Sequence, residues 1–426
     1  MQYSKHVLSN GLRIITIPMP SLESATIAVW VKTGSRNETS KISGISHFLE
    51  HMVFKGSKKR PSAKAISEVV DSIGGEFNAA TSKDWTNFYI KASTQHLETA
   101  MDVLSDMVLC PILDEREMER EKGTIVEEIK MYEDTPMYRI GDVFEELIYE
   151  GHPLGVDTIG SEKTVKGMTR NDFLRYRKSY YYPENIIVTV AGGVSKQKVI
   201  ELGKKYFGSL KKSKDKKSQG SGVFIPSQKK PKLKLHSKKK EQAHFIMGFL
   251  ADGREYKGKF AQSVLSVILG SGMSSRLFIE VRERRGLAYS VRTSMDRYQE
   301  VGYLGTYAGV DPKRVDQAIK VTLEEHYKLA SGEKPVTKEE LSKAKEYLKG
   351  HLALALEDTK DVASFFGEQE LFLKEVLTPK EMLKKVDEVT LEDINDEAKR
   401  LFVPERLNLA IIGPYDSEDG FKKLLF

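Results

Sequence analysis

The order of elements in this chain is written twice. In the first half, the alternating strand "ATIAVWVKTGSR" precedes the apolar stretch "GISHFLEHMVFKG". "TNFYIKASTQHLETAMDVLSDMV" then runs from strand into amphipathic helix, "DEREMEREKGTIVEEIKMYEDT" forms a long charged helix, and "YYYPENIIVTVAGG" closes the half as a strand. The second half repeats the sequence of elements. "QAHFIMGFLADG" leads into the helix "KFAQSVLSVILG", and "GYLGTYAGVDPKRVDQAIKVTLEEH" is again strand then helix. "TKEELSKAKEYLKGHLALALEDT" is the long helix, ending in the same "EDT", and "FVPERLNLAIIGP" is the closing strand, with Pro404-Glu405 answering Pro183-Glu184. The offset is about 220 residues, a duplication of a whole domain rather than a short solenoid repeat. Period-2 strands interleaved with period-3.6 helices imply an α+β fold, two homologous domains that each pack helices on a mostly antiparallel β-sheet. With 426 residues, the chain also exceeds what one ordinary core holds.

The boundary falls in residues 211–240, which hold twelve lysines against one aspartate. That segment carries +11 of a whole-chain +6, so the remainder is −5 and the folded surfaces are not basic. The expected division is a first domain over 1–215, a lysine-rich linker over 216–240 and a second domain over 241–426. A solvated linker is the ordinary reading of such a charge run. Without interleaved arginines and aromatics it argues against nucleic acid or a membrane surface as a partner. A single cysteine, Cys110, allows no disulfide within the chain and fits a reducing compartment. The first residues lack the basic-then-apolar pattern of a secretory leader, and no apolar run reaches the roughly 18 residues of a membrane helix. A soluble, cytoplasmic protein is expected.

The two copies are unequal. Only the first contains His47, Glu50 and His51 in the pattern H-x-x-E-H, in a chain with nine histidines. Residues i and i+4 share a helix face, so His47 and His51 can reach one metal ion. Glu50 lies about 60° from His47 on one side and about 100° from His51 on the other, beside such an ion rather than on it. That arrangement suits a carboxylate acting on a metal-activated water. A third ligand has to come from elsewhere. Glu117, Glu121 and Glu128 fall within about 60° on one face of the acidic helix, with Glu127 about 100° from Glu128. That face could supply a ligand and a supporting carboxylate, although a glutamate-rich helix is more often only solvated. His96, near a helix start, and His152, in the loop-like "EGHPLGVDTIGS", are weaker candidates.

The stretch "GSRNETSKISGISHFLEHMVFKGS" closely resembles the active-site signature of the pitrilysin and mitochondrial processing peptidase family, the inverzincin zinc metallopeptidases. "LSNGLRI", "GHPLGVDTIGS", "YYYPENIIVTVAGG" and "GSGMSSRLFIEVRERRGLAYSV" extend the resemblance over nearly the whole chain, which looks like a short, two-domain bacterial-type member. The family pattern places a third ligand glutamate after 76 intervening residues, at Glu128, and an essential glutamate seven residues earlier, at Glu121. The resemblance thus implies one Zn2+ per chain on His47, His51 and Glu128, with Glu50 as general base on the zinc-bound water and Glu121 orienting a ligating histidine. It implies that Asn78, Ala79, Ala80 and Thr81, in "GGEFNAATSKDWTNFYIKAS", form an edge strand that pairs with peptide substrate. It further implies that Arg282 and Tyr289 bind the peptide, with Tyr289 stabilising the oxyanion. Short members complete their chamber by dimerising, and both motifs are in this chain, so a homodimer is expected. The implied activity is a zinc endopeptidase acting on unstructured or extended peptides. The alternative is a non-catalytic assembly member of the same family, and the intact metal motif argues against it.

Overall fold

The computed structural model describes residues 1–212 and 222–425, so residues 216–221 of the expected linker lie outside the described residues. The chain forms two compact units. The first comprises Met1–Lys130, Val156–Ser221 and Ala353–Lys380, and the second Met131–Gly155, Gly222–Leu352 and Glu381–Phe426.

The first unit holds strands β1 (Ser4–Val7), β2 (Arg13–Pro18), β3 (Ser24–Val31), β4 (Glu76–Thr81), β5 (Thr86–Ser93) and β6 (Ile186–Gly192). They form one sheet in the order β1-β2-β6-β3-β5-β4. The second unit holds β7 (Lys232–Ser237), β8 (Ala243–Asp252), β9 (Ala288–Arg297), β10 (Val301–Val310) and β11 (Leu407–Gly413), in the order β7-β11-β8-β10-β9. Setting β1 aside, the two orders are the same. Each sheet has one parallel pair at the same place, β2 with β6 and β7 with β11, and is otherwise antiparallel. The duplicated α+β architecture expected from the sequence is the one found. The turns at Pro183–Asn185 and Pro404–Arg406 lead into the equivalent strands β6 and β11.

Burial explains the strand patterns. β6 and β11 are buried along their whole length, and apolar except for Thr189 and Asn408, as strands covered on both faces are. β4 alternates exposed and half-buried residues, as an edge strand with one solvated face does. The helix covering each sheet comes from the other half of the sequence. In the first unit, helix Thr359–Phe372 places Val362, Ala363 and Phe366 among Ile15, Ala28, Trp30 and Ile187. In the second, helix Pro136–Ile148 places Ile140, Val143 and Phe144 among Leu250, Tyr303, Ala410 and Ile412. Both contacts need a glycine. A Cβ at Gly367 would stand 2.4 Å from Trp30 Nε1, and one at Gly248 2.4 Å from Phe144 Cζ.

The lysine-rich segment is not all linker. Lys232–Ser237 is strand β7, with Leu233 and Leu235 packed against the second core. Its lysines meet the acidic side of the exchanged segment: Lys232 with Glu150 at 3.2 Å, Lys234 with Glu146 at 2.6 Å, and Lys238 with Asp134 at 3.1 Å. Lysines along an edge strand also discourage pairing with another chain. Among the described residues, no helix is long and apolar enough to cross a membrane.

Candidate metal centre

Helix Ile45–Val53 carries the H-x-x-E-H motif. Its start is fixed by backbone chemistry. Gly44 enters at φ 94°, where a Cβ would meet Ile159 O at 2.5 Å. The Glu38 carboxylate accepts from the free N–H groups of Gly44 at 2.7 Å and Ser46 at 2.8 Å. Burial pushes that carboxyl up to about 7 against the pull of these bonds. Ser46 Oγ lies 2.7 Å from Tyr176 Oη, which lies 2.8 Å from Thr33 Oγ1, closing a buried polar chain beneath the helix. Ile45, Phe48, Leu49, Met52 and Val53 fill the buried face, with Phe48 edge-on to Phe173. His47, Glu50 and His51 are left half-buried on the other face.

Helix Glu115–Asp134 brings the carboxylates. Glu128 Oε1 is 3.8 Å from His47 Nε2, and Glu128 Oε2 is 3.6 Å from His51 Nε2. One ligand atom from each of the three residues lies within 4.8 Å of the others, and among the described residues this is the group of three or more metal-binding side chains that the fold assembles. Glu121, buried on the same helix, accepts from His51 Nδ1 at 2.8 Å. That bond fixes the tautomer, so His51 presents an unprotonated Nε2 toward Glu128. The other Glu121 oxygen is 2.6 Å from Lys55 Nζ. Burial alone would raise the Glu121 carboxyl, but the bonds from His51 and Lys55 outweigh it and hold it below its ordinary value.

Burial, then the neighbouring His51, lowers His47 to about 3, so its imidazole is neutral at physiological pH and free to act as a ligand. Its Nδ1, turned away from Glu128, is buried with no hydrogen-bond partner among the described residues. Burial raises the Glu128 carboxyl, and the nearby His51 lowers it. Two imidazole nitrogens and a carboxylate match the donor set of a catalytic zinc site. Glu50 sits beside this cluster. Burial raises its carboxyl, and a hydrogen bond from Thr81 Oγ1 at 2.5 Å opposes that rise.

β4 is docked on the same helix, with Phe77 5.4 Å from Phe54 between ring centroids and Thr81 on Glu50. Asn78 and Ala80 are exposed on the other face, and Asn78 Oδ1 accepts from Ala79 N at 2.8 Å. Glu117 and Glu127 take no part in the cluster: Glu117 pairs with Arg120 at 2.5 Å and Glu127 with Lys130 at 2.7 Å. His96 ends a short turn, and His152 braces a loop through Leu154 N at 3.2 Å and Gly222 O at 2.9 Å.

Arg282 and Tyr289 belong to the second unit. Arg282 lies in the π-helical turn Phe278–Glu283, its guanidinium 4.7 Å from the Phe278 ring centre and 5.3 Å from that of Tyr289. Tyr289 is 81% exposed. Glu280 takes up the neighbouring cations Arg284 and Arg285, both at 2.6 Å, and Lys334 at 3.3 Å. Among the described residues, the carboxylate paired with Arg282 is Glu283, at 3.9 Å.

Sequence reasoning missed the roles of Glu38 and Lys55 and gave Thr81 only a place on the edge strand. Lys55, four residues after His51 on a continuing helical turn, was the one with a readable signal.

Residues 13–162 match the model of insulinase, peptidase family M16, and residues 167–348 match that of the peptidase M16 inactive domain. The uncharacterized zinc protease YmxG of Bacillus subtilis is 38% identical over 411 residues, 96% of this chain and 98% of that protein. An uncharacterized zinc protease of Streptomyces coelicolor is 36% identical over 413 residues, 96% of this chain and 88% of its own. A protease from Helicobacter pylori has a crystal structure that superposes with a TM-score of 0.90 at 27% identity, covering 97% of this chain and all of that one. The chain belongs to peptidase family M16, the insulinase family.

Proposed function

We propose that the protein is a zinc-dependent endopeptidase that hydrolyses unstructured or extended peptides inside a dimeric chamber. The observation that carries this reading is the convergence of His47, His51 and Glu128 from two helices, with Glu50 beside them. Relatives named as zinc proteases support zinc as the metal, and the His47, His51 and Glu128 group fits one ion per chain. When bound, zinc supplies a Lewis acid that acidifies water and polarises a peptide carbonyl.

The rest of the work falls to the chain's own groups. Glu121 and Lys55 hold His51 in one tautomer and orientation. Glu50 Oε2 is engaged by Thr81, which leaves Oε1 to take the proton of the attacking water and return it to the leaving amine. The outer edge of β4, from Asn78 through Ala79 and Ala80 to Thr81, offers main-chain groups to an extended peptide. Such binding selects for flexible chains and reads side chains weakly. Arg282 holds the peptide near the cut, and the exposed Tyr289 hydroxyl donates to the developing oxyanion. Both motifs lie in one sequence. In a homodimer, Arg282 and Tyr289 of one subunit would serve the metal centre of the other, with no second protein required.

The reading is tested by incubating the purified protein with a mixture of unstructured peptides, with and without a chelator. Cleavage that the chelator stops and zinc restores is expected. Cleavage that survives complete metal removal would overturn it.

A further inference from the structure

Thr81 was expected only to line the edge strand, yet its side chain points the other way, to the carboxylate beside the metal ligands. Its Oγ1 is 2.5 Å from Glu50 Oε2. The strand end that carries the hydroxyl is itself anchored. Thr81 pairs with Thr86 at the closed end of the β4–β5 hairpin, where Ser82 N bonds Trp85 O at 2.8 Å. The hairpin turn is then tied to the loop that leads into the metal helix. Ser35 N donates to Ser82 O and Arg36 N to Lys83 O, both at 3.1 Å, while Arg36 pairs with the buried Asp84 at 2.9 Å. Gly34 permits this approach, since a Cβ there would lie 2.1 Å from Ser82 O. One strand thus has an open edge along Glu76–Ala80 and a fixed end that grips Glu50.

In the second copy of the fold the equivalent strand end also reaches its helix. Arg297 closes β9, pairing with Gly302 as Thr81 pairs with Thr86. Arg297 also reaches the helix that answers the metal helix, Lys259–Gly270, donating to Gln262 Oε1 at 3.1 Å and Lys259 O at 2.8 Å. There the bond only braces a helix. In the first copy the corresponding strand end bonds the carboxylate next to two histidines.

We infer that Thr81 is a positioning residue for Glu50, so that the strand which would pair with a peptide also sets the carboxylate that acts on it. This rests on the peptidase reading above. An unrestrained carboxylate on a flexible side chain samples several rotamers, and a misplacement of about 1 Å can cost roughly 10²-fold in rate.

The test compares Thr81→Val, which keeps the β-branched shape, with Thr81→Ser, which keeps the hydroxyl. With a flexible peptide, T81V should lose roughly 10²-fold in kcat with KM and bound zinc unchanged, and T81S should regain most of the loss. A T81V kcat equal to wild type would overturn the inference. So would a change confined to KM, which would make Thr81 a simple peptide contact, or a T81S variant as impaired as T81V. A second readout needs no turnover: the visible absorption band of the Co2+-loaded proteins. T81V should shift the band at full Co2+ occupancy and T81S should restore it; identical bands in all three would overturn the inference. If the wild type cleaves no peptide, the proposed function fails on its own and the Co2+ comparison still decides the role of Thr81.

Discussion

Removing the Glu121 carboxylate probes the proposed metal centre through a group outside the His47, His51 and Glu128 cluster. Its oxygens are divided between His51 Nδ1 at 2.8 Å and Lys55 Nζ at 2.6 Å, on a residue 5% exposed. Glu121→Ala breaks both contacts. His51 loses the acceptor that fixes its tautomer, and a half-buried ammonium loses its counter-charge. Losing such an outer partner weakens metal affinity about 10–100-fold, or about 1.4–2.8 kcal/mol at tenfold per 1.4 kcal/mol. Glu121→Gln keeps an oxygen for His51 but not the charge for Lys55, so its loss should lie near the lower bound. Zinc affinity is read by competition with a chromophoric chelator, alongside the thermal midpoint of each metal-free protein. Because zinc stabilises the folded state by RT ln(1 + [L]/Kd), a tenfold weaker site in excess zinc gives up about 1.4 kcal/mol of that stabilisation. Wild-type affinity in Glu121→Ala would refute the argument. So would a loss explained entirely by a lower metal-free midpoint.

Three further outcomes follow from other parts of the fold. Gly367→Ala places a methyl group 2.4 Å from Trp30 Nε1 in the exchanged-helix contact, and should destabilise by about 1–3 kcal/mol; an unchanged thermal midpoint would count against the tight packing. Burial lowers His326 to about 4, from 6.5 in the unfolded chain, with Nδ1 donating to Thr322 O at 2.7 Å. The unfolded state then binds more protons as pH falls from 6.5 to 4, so stability declines across that window by about 3 kcal/mol and levels off below it. His326→Gln should flatten that slope in thermal scans, and an unaltered slope would assign it elsewhere. Mixing Arg282→Ala with Glu50→Gln should restore some cleavage through mixed dimers; no recovery with subunit exchange confirmed would argue against a site shared between subunits.

How much the sequence revealed depended on how local each feature is. The duplication was legible because each strand and helix carries its own period and because Pro183-Glu184 recurs as Pro404-Glu405. His47 and His51 were legible as a pair because four residues are one helical turn. The acidic helix was harder. Spacing alone put Glu117, Glu121 and Glu128 on one face, and only the family resemblance separated Glu128 from its neighbours. In the structure, Glu117 is spent on Arg120 while Glu121 and Glu128 face the histidines. The exchange of Thr359–Phe372 and Pro136–Ile148 between the units left no local trace. Their apolar faces say that something covers them, not which sheet does. Strand β7 was hidden by composition, since Lys232 and Lys234 read as solvent-facing charge while Leu233 and Leu235, two apolar residues, were too short a signal. The bond from Thr81 to Glu50 joins residues 31 apart in sequence, and no periodicity reports such a contact.

The most direct test of the account is Glu50→Gln, assayed for bound metal and for cleavage of a flexible peptide on the same sample. The account predicts wild-type zinc, because Glu50 flanks the ligand cluster without belonging to it, and a cleavage rate reduced by about 10²-fold or more. Full turnover with zinc bound would contradict the role given to Glu50. Loss of zinc together with activity would make Glu50 a ligand, and the assignment of the site would have to be redrawn.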